Sequence, residues 1–276
     1  MAEPNFNPPA QIFKNLVNVG VAKVNLSVLK MFILGIFAGC YIGFGAHLCT
    51  TVVTGWAPEF FGLSKFLGAA VFSTGLMLVV IAGAELFTGN CLIPLALLEK
   101  KVTFGGMMKN WLIVYIGNLV GSLLLAYTIA GLTGLNNGPI GGTALKIATA
   151  KCALPSSAIF FRAILCNWLV CLAIVLALAA NDIVGKIFGI FFPIMAFVAM
   201  GFEHSVANMF FIPAGIFTKA LPKAAELITN PQLLDGLNTA NAVRNISMAT
   251  LGNIVGGGFM VATLYWIVYV KGSDKK

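Results

Sequence analysis

Six long apolar stretches dominate the sequence and restrict the chain to a membrane environment. Each is long enough to supply the roughly 20 residues with which a helix crosses the hydrocarbon core of a bilayer. Only 9% of the 276 residues are charged, whereas soluble domains usually contain about a quarter. We therefore predict an all-α membrane protein with six transmembrane helices, at residues 31–54, 66–98, 111–132, 158–180, 187–217 and 246–270.

These stretches divide the chain into three predicted regions. Residues 1–30 carry apolar side chains at helical spacing opposite a polar face. This pattern predicts an amphipathic helix that lies along the membrane interface or packs on a neighbouring helix. Residues 31–270 form the six-span domain, and residues 271–276 form a short basic cytoplasmic tail.

The distribution of basic residues predicts the orientation in the cell membrane. An even number of spans places both termini on one side, and that side holds ten Lys and Arg residues against seven opposite. Because cytoplasmic segments are enriched in basic residues, both termini are predicted to be cytoplasmic. The net charge of +8 fits this bias and does not indicate nucleic-acid binding, since no soluble domain is predicted that could present a basic patch.

An internal repeat predicts the architecture. Residues 83–90 and 201–208 share Gly, Glu and Asn at a constant offset of 118, and residues 117–121 resemble residues 252–256 at an offset of 135. The chain therefore reads as two copies of a three-span unit. Because each copy has an odd number of spans, the copies must lie in opposite orientations, which is the inverted-repeat plan of many transporters.

The second span of each copy is too long to be one straight helix. Residues 66–98 and 187–217 both contain several glycines and at least one proline. We predict that the second and fifth helices break near the middle of the membrane. Irregular backbone is tolerated at that depth only where protein or a water-lined cavity satisfies its polar groups, so the paired breaks indicate a central pathway.

Polar side chains recur at both predicted breaks. A carboxylate there can accept hydrogen bonds from freed backbone N–H groups, and this supporting role is favoured over proton relay, the other role expected of an intramembrane acid. The residues predicted to support the broken helices are Glu85, Glu203, Asn90 and Asn208.

His204 differs from these residues because its counterpart in the first copy is Leu86. The symmetry of the scaffold therefore does not explain it. A single histidine is often a core residue, but at a helix break in a membrane it can donate a hydrogen bond or a proton to a passing anion. We predict the second role.

Sequence features of an enzyme are missing. Glu203 and His204 are adjacent and would diverge by about 100° on a helix, and neither a His-Glu-x-x-His motif nor a paired cysteine site is present. We predict a protein that is not an enzyme and that needs no cofactor.

Four motifs resemble the formate/nitrite transporter family. They are GFEHSVANM at residues 201–209, GAELFTGN at 83–90, LCNWLVCLA at 165–173 and GNIVGGG at 252–258. The resemblance covers nearly all six predicted spans. It implies an aquaporin-like fold, a homopentamer with a separate pore in each subunit, and two broken helices that meet near the pore centre.

The resemblance also implies roles for individual residues. His204 is similar to the central histidine of the family, and Thr88 to the residue that lines or gates the pore. Lys151 is similar to the basic residue of the outer vestibule. Further residues implied on the pathway are the polar neighbours Asn167 and Asn253 and the apolar constrictions Phe72, Leu76 and Phe197.

An energy comparison predicts the form in which a solute would cross. A bare charge in a dry constriction costs about 3 to 17 kcal/mol, whereas protonating a carboxylate at pH 7 costs about 4 kcal/mol. We therefore predict passage of small monovalent anions as their neutral acids, with the proton supplied by water or His204. Formate, nitrite, lactate, acetate and hydrosulfide all remain open. A water or glycerol channel is the less favoured alternative, because the Asn-Pro-Ala motif of aquaporins is missing at both breaks.

Overall fold

The computed structural model describes residues 6–272, and the elements in this range are helical apart from one isolated bridge between Phe6 and Ala180. Short 3₁₀ segments cover Pro58–Phe60 and Pro231–Gly236. The α-helices are α1 Pro9–Val24, α2 Val28–Val52, α3 Phe61–Met77, α4 Phe87–Asn90, α5 Pro94–Leu98, α6 Phe104–Tyr127, α7 Pro139–Ala153, α8 Ser156–Ala179, α9 Ile183–Ala199, α10 Ser205–Thr218, α11 Pro222–Ala225, α12 Thr239–Ile254 and α13 Leu264–Tyr269.

Three helices continue without interruption into π-helical turns. The π-helical segments are Leu78–Gly83 after α3, Thr128–Leu132 after α6 and Val255–Thr263 before α13. With these extensions, five helical stretches of the described chain are long and apolar enough to cross a membrane: Val28–Val52, Pro58–Gly83, Phe104–Leu132, Ser156–Ala179 and Thr239–Tyr269.

The remaining apolar helices are shorter. The predicted span at residues 187–217 consists of α9 and α10, which are separated by residues 200–204. The predicted span at residues 66–98 ends its long helix at Gly83 and resumes after residue 86 with α4 and α5. Interruptions are therefore present in both of the spans in which the sequence predicts them.

A glycine with a positive φ angle lies at each interruption. Gly83 has a φ of 90° and Gly201 a φ of 74°, in the left-handed region that residues with a Cβ rarely adopt. The helix has already ended at Gly83 in the first break and at Ala199 in the second, and the N–H groups two residues after each glycine bond to other helices. The N–H of Glu85 donates to Leu34 O, and the N–H of Glu203 donates to Arg162 O. The glycines thus turn each chain segment toward a neighbouring helix that accepts its freed N–H.

Close contact between backbones fixes the helix pairs around these breaks. A methyl group at Gly121 on α6 would collide with Ile36 O on α2, and one at Gly256 would collide with Ile164 O on α8. Both glycines belong to the repeated Gly-x-x-x-Gly pattern, which allows membrane helices to approach closely. The helices that carry Asn118 and Asn253 are in this way held against their neighbours.

The amphipathic N-terminal segment forms a shorter helix than residues 1–30. Helix α1 ends at Val24, α2 begins at Val28, and residues 1–5 lie outside the described range. The buried face of α1 packs on the protein: Phe13 stacks on Tyr265 and Tyr269, with ring centroids 4.6 and 5.7 Å apart. Most of the predicted basic tail, residues 273–276, also lies outside the described range.

Candidate functional site

The first helix break is held by the side chain of Asn118. Phe87 is the first residue of α4, and its N–H donates to Asn118 Oδ1 at 2.9 Å. Asn118 Nδ2 donates to Gly35 O at 2.8 Å and to Glu85 O at 2.9 Å. Asn118 is completely buried. One amide therefore satisfies polar groups that the interrupted helix leaves unpaired.

The second break is held in the same way by Asn253. Its Oδ1 accepts from the N–H of Ser205 at 2.9 Å, and its Nδ2 donates to Ala163 O at 2.8 Å and to Glu203 O at 3.1 Å. These are the contacts of Asn118 repeated. The resemblance implied Asn253 as a pathway residue, but its hydrogen-bonding groups are engaged in backbone support.

A closed circuit of side chains surrounds the carboxylate of the first break. Lys23 Nζ lies 2.6 Å from Glu85 Oε1, and Asn90 Nδ2 donates to Glu85 Oε2 at 2.8 Å. Asn90 Nδ2 also donates to Asn110 Oδ1, and Asn110 Nδ2 donates to the backbone carbonyl of Lys23 at 3.0 Å. The circuit ties α1, the break and α6 together.

The second circuit repeats the first. Lys151 Nζ lies 2.8 Å from Glu203 Oε1, and Asn208 Nδ2 donates to Glu203 Oε2 at 2.7 Å. Asn208 Nδ2 also donates to Asn245 Oδ1, and Asn245 Nδ2 donates to the backbone carbonyl of Lys151 at 2.9 Å. In both circuits the carboxylate has donors on two oxygens, which is the geometry expected of a supporting group.

Sequence reasoning missed three members of these circuits. Asn110 and Asn245 are separated by 135 residues, the same offset as the repeat that contains Asn118. This shared offset could have identified the two asparagines as a matching pair. Lys23 precedes Lys151 by 128 residues, and each follows an alanine near the end of a helix. A two-residue match of this kind is too short to be recognised before the contacts are known.

His204 connects the two breaks. Its Nδ1 accepts a hydrogen bond from the N–H of Ala207 at 3.0 Å, and its Nε2 lies 2.9 Å from Thr88 Oγ1. A backbone N–H can only donate, so Nδ1 carries no proton and neutral His204 is protonated on Nε2. Nε2 therefore donates to Thr88, whose hydroxyl hydrogen remains available to another acceptor. The ring also stacks on Phe197, with centroids 5.9 Å apart.

Asn167 lies beside this pair. Its Nδ2 donates to Thr88 O at 3.1 Å and to Asn253 O at 2.7 Å. Thr88 itself is the second residue of the short helix α4 and is completely buried. Asn167 Oδ1 is buried and has no hydrogen-bond partner in the described part of the chain. Two further buried amide oxygens without a donor lie at the breaks, Asn90 Oδ1 and Asn208 Oδ1, so free acceptors cluster in this region of the described chain.

A cavity of about 300 Å³ adjoins the second break, and we refer to it as the Lys151 cavity. Its lining includes Lys151, Glu203 and His204. Two of the predicted constriction residues, Phe72 and Phe197, also line it, and their rings meet edge to face with centroids 5.8 Å apart. Both rings are almost fully buried.

A larger cavity of about 570 Å³ adjoins the first break, and we refer to it as the Lys23 cavity. Lys23, Glu85 and Asn90 line it. The third predicted constriction residue, Leu76, lines this cavity and not the Lys151 cavity. Since Leu76 lies one helical turn after Phe72 on α3, a short buried apolar section separates the two cavities.

The arrangement brings most of the predicted residues together but gives no catalytic pair. The carboxylate of Glu203 contacts Lys151 and asparagines, whereas His204 contacts Thr88 and Ala207. Across residues 6–272 there is no group of three or more His, Cys, Asp or Glu side chains that could hold a metal ion. The geometry is that of two largely apolar cavities that each contain a paired lysine and glutamate, on either side of a buried apolar section, with a histidine and a threonine between the breaks.

Comparison with known proteins shows which family the chain resembles in sequence and in fold. Residues 10–267 match the model of the family described as formate/nitrite transporter. A protein of Methanothermobacter thermautotrophicus named probable formate transporter is 44% identical over 97% of this chain and 98% of its own. A solved FNT family ion channel superposes with a TM-score of 0.81 at 30% identity over 94% of this chain and 98% of its own. A structure described as a pentameric formate channel with formate bound gives a TM-score of 0.78 at 36% identity over 88% and 98% of the two chains.

Proposed function

This chain belongs to the formate/nitrite transporter family, and we propose that it carries formate or a related monovalent anion across the membrane together with a proton. It is a multi-pass membrane channel or transporter for small anions and not an enzyme. The observation that carries the proposal is the buried apolar section of Phe72, Leu76 and Phe197 between two cavities that each contain a lysine. A charged solute can enter either cavity but meets no counter-charge between them.

The dry section favours crossing as the neutral acid. Moving a bare charge through it costs about 3 to 17 kcal/mol, whereas protonating a carboxylate of pKa about 4 at pH 7 costs about 4 kcal/mol. Transfer from a watery cavity into an apolar section disfavours the ionised form and therefore promotes protonation at that boundary. The substrate and a proton then cross together.

Water in the cavities is the proposed source of the proton. The sequence left water and His204 as alternatives, and the contacts of His204 favour water. Protonated His204 would carry hydrogens on both ring nitrogens, and the hydrogen on Nδ1 would point at the N–H of Ala207. Neutral His204 can still orient the Thr88 hydroxyl, which can donate to a carboxylate oxygen that reaches the section.

Lys151 remains the proposed basic residue of the outer vestibule, and Lys23 has the equivalent place in the other cavity. Each lysine carries its charge beside a glutamate at less than 3 Å. We propose that Asn167 contributes a free amide oxygen near the section, and that Thr88 and His204 are the polar groups at its centre. Asn253, Glu85, Glu203, Asn90 and Asn208 are proposed to act by holding the broken helices.

The proposed architecture is six spans in two inverted three-span repeats. The matched contacts of Asn118 and Asn253 support it, as do the two matching circuits. A homopentamer is proposed from the related structure that is described as pentameric. The excess of basic residues on the predicted terminal side supports cytoplasmic termini.

Uptake into liposomes that contain the purified protein tests the proposal. The neutral fraction of formate increases about tenfold for each unit by which pH falls toward its pKa. We therefore expect labelled formate uptake to rise steadily as the external pH is lowered from 8 to 5, and a protonophore to reduce accumulation. Protein-free liposomes correct for direct permeation of formic acid.

The same liposomes separate the alternatives. Nitrite, acetate, lactate and hydrosulfide compared with formate define the preferred anion. Osmotic swelling with glycerol tests for a neutral-solute channel. Uptake that does not change between pH 5 and 8 contradicts the proton-coupled mechanism, and rapid glycerol flux without formate uptake contradicts anion transport.

A further inference from the structure

Each cavity contains a second lysine besides the one that is paired with a glutamate. Lys65 lines the Lys151 cavity, and Lys186 lines the Lys23 cavity. Both lie near the beginning of a helix that leads into a break: Lys65 is the fifth residue of α3 and Lys186 is the fourth residue of α9. The two cavities are therefore similar in a feature that the break circuits do not include.

The charges of the break circuits cancel within each cavity. Lys151 is matched by Glu203, and Lys23 is matched by Glu85. Salt bridges of the described residues involve neither Lys65 nor Lys186. Each cavity lining therefore carries one uncompensated positive charge, and that charge belongs to the second lysine.

Lys65 is directed toward the second break. Its Nζ lies 3.9 Å from the position that a Cβ of Gly201 would occupy. Its other contact is a cation–π interaction with the ring of Phe61, 5.9 Å from the centroid. Neither contact supplies a negative charge, so the donors of this ammonium group remain available to an anion in the cavity.

Lys186 is held by two backbone carbonyl groups, which do not supply a full counter-charge. Its Nζ donates to Ala177 O and Ala180 O, both at 3.0 Å, at the C-terminal end of α8. Carbonyl groups at a helix end offset only part of a full charge, and an ammonium group has a third hydrogen to donate. The neighbouring Asp182 caps α9 through Gly185 N and does not line the cavity.

We propose that Lys65 and Lys186 form the anion-binding site of their respective cavities, each holding a small monovalent oxyanion such as formate or nitrite before it is protonated. The inference rests on the proposed transport function. An anion beside Lys151 or Lys23 would compete with a glutamate that is already bound there, whereas an anion beside Lys65 or Lys186 meets an open positive charge. The positive charge keeps the substrate ionised at this site, so protonation follows when the substrate moves on to the apolar section.

Kinetics of formate uptake in liposomes test this assignment. For Lys65→Gln and Lys186→Gln we expect the KM to rise about three- to tenfold at low salt, with little change in maximal rate. Each variant should act on uptake from the side that its cavity faces. Because the Debye length falls from about 30 Å at 0.01 M salt to about 10 Å at 0.1 M, the KM of the unmodified protein should rise with salt more than that of the variants.

Matched variants keep the test specific. Lys146→Gln on α7 and Lys109→Gln on α6 remove exposed lysines that line neither cavity, and they should transport like the unmodified protein. Lys65→Arg and Lys186→Arg keep the charge and should restore a low KM. An unchanged KM in both Gln variants, or Arg variants as weak as the Gln variants, overturns the inference. Absence of formate uptake by the unmodified protein contradicts the proposed function instead.

Discussion

His204 Nε2 lies 2.9 Å from Thr88 Oγ1, so a single hydrogen bond joins the two helix breaks across the centre of the chain. The same imidazole caps α10 by accepting from the N–H of Ala207. The Nδ1 atom of His204 therefore stabilises the start of α10, and its Nε2 atom contacts Thr88. Substitutions at this position must separate these two roles.

Replacement of His204 by asparagine or phenylalanine separates them. Asparagine is a favourable N-cap residue and keeps a donor, so His204→Asn should assemble and retain part of its formate uptake, with the pH dependence of the unmodified protein because water is the proposed proton source. His204→Phe removes the cap and the donor that orients the Thr88 hydroxyl, and its uptake should fall by about tenfold, as expected for loss of a hydrogen bond worth about 1.5 kcal/mol. The measurement is uptake against pH, with oligomer size checked by chromatography. Two variants that assemble and transport normally would identify His204 as a core residue.

Asn253 provides a prediction on stability. Asn253→Ala leaves the N–H of Ser205 and the carbonyl of Glu203 without partners, and we expect a loss of about 3 kcal/mol. Asn118→Ala should be equally damaging because its contacts are the same. The thermal midpoint of the detergent-solubilised oligomer reports the effect. Asn137→Ala, on an exposed loop, is the control and should leave the midpoint unchanged; equal midpoints for all the variants would contradict the supporting role of the two buried amides.

The apolar section provides a prediction on substrate size. Phe72→Ala or Leu76→Ala removes a nearly fully buried side chain between the cavities, and lactate uptake should increase several-fold relative to formate because the section becomes wider. Phe197→Ala should act in the same direction and should also disturb His204, on which its ring stacks. Phe188→Ala on α9 removes an exposed ring and serves as the control. An unchanged lactate-to-formate ratio in folded variants would show that these side chains only pack.

The repeat made the breaks and their supporting residues predictable from the sequence. Glu85 with Glu203 and Asn90 with Asn208 were found because both pairs lie in a short motif of constant spacing, and the structure places them in matching circuits. Lys23 was missed because the helices that carry it and Lys151 share almost no other residues. Its role is visible only when the 2.6 Å contact to Glu85 is known.

The proton position on His204 and the location of the constriction residues were harder to predict from the sequence. Histidine at position 204 indicated a donor, but its proton position depends on which ring nitrogen faces the N–H of Ala207, and no sequence pattern encodes that choice. The assignment of Phe72 and Leu76 came from resemblance, since apolar residues on membrane helices usually pack. Their location on different cavities follows from the three-dimensional path of α3.

The ion pair of Lys151 and Glu203 leads to a prediction on coupling. Glu203 is more buried than Lys151, with 4% and 16% of the side chain exposed. Removing one partner leaves an uncompensated charge, which costs about 3 to 5 kcal/mol when that charge is fully buried. Lys151→Met strands the more buried group and should lower the thermal midpoint of the oligomer more than Glu203→Gln, whose remaining ammonium group reaches the cavity.

The double variant decides whether the pair acts as a unit. Lys151→Met combined with Glu203→Gln removes both charges and keeps an amide that can accept from Asn208, so its midpoint should lie above that of Lys151→Met alone. Interacting residues are expected to deviate from additivity by about 0.5 to 3 kcal/mol. Lys23→Met with Glu85→Gln repeats the cycle at the other break and should give the same sign, because the contacts correspond. Strictly additive losses in both cycles would mean that the lysines and glutamates stabilise the breaks independently of one another.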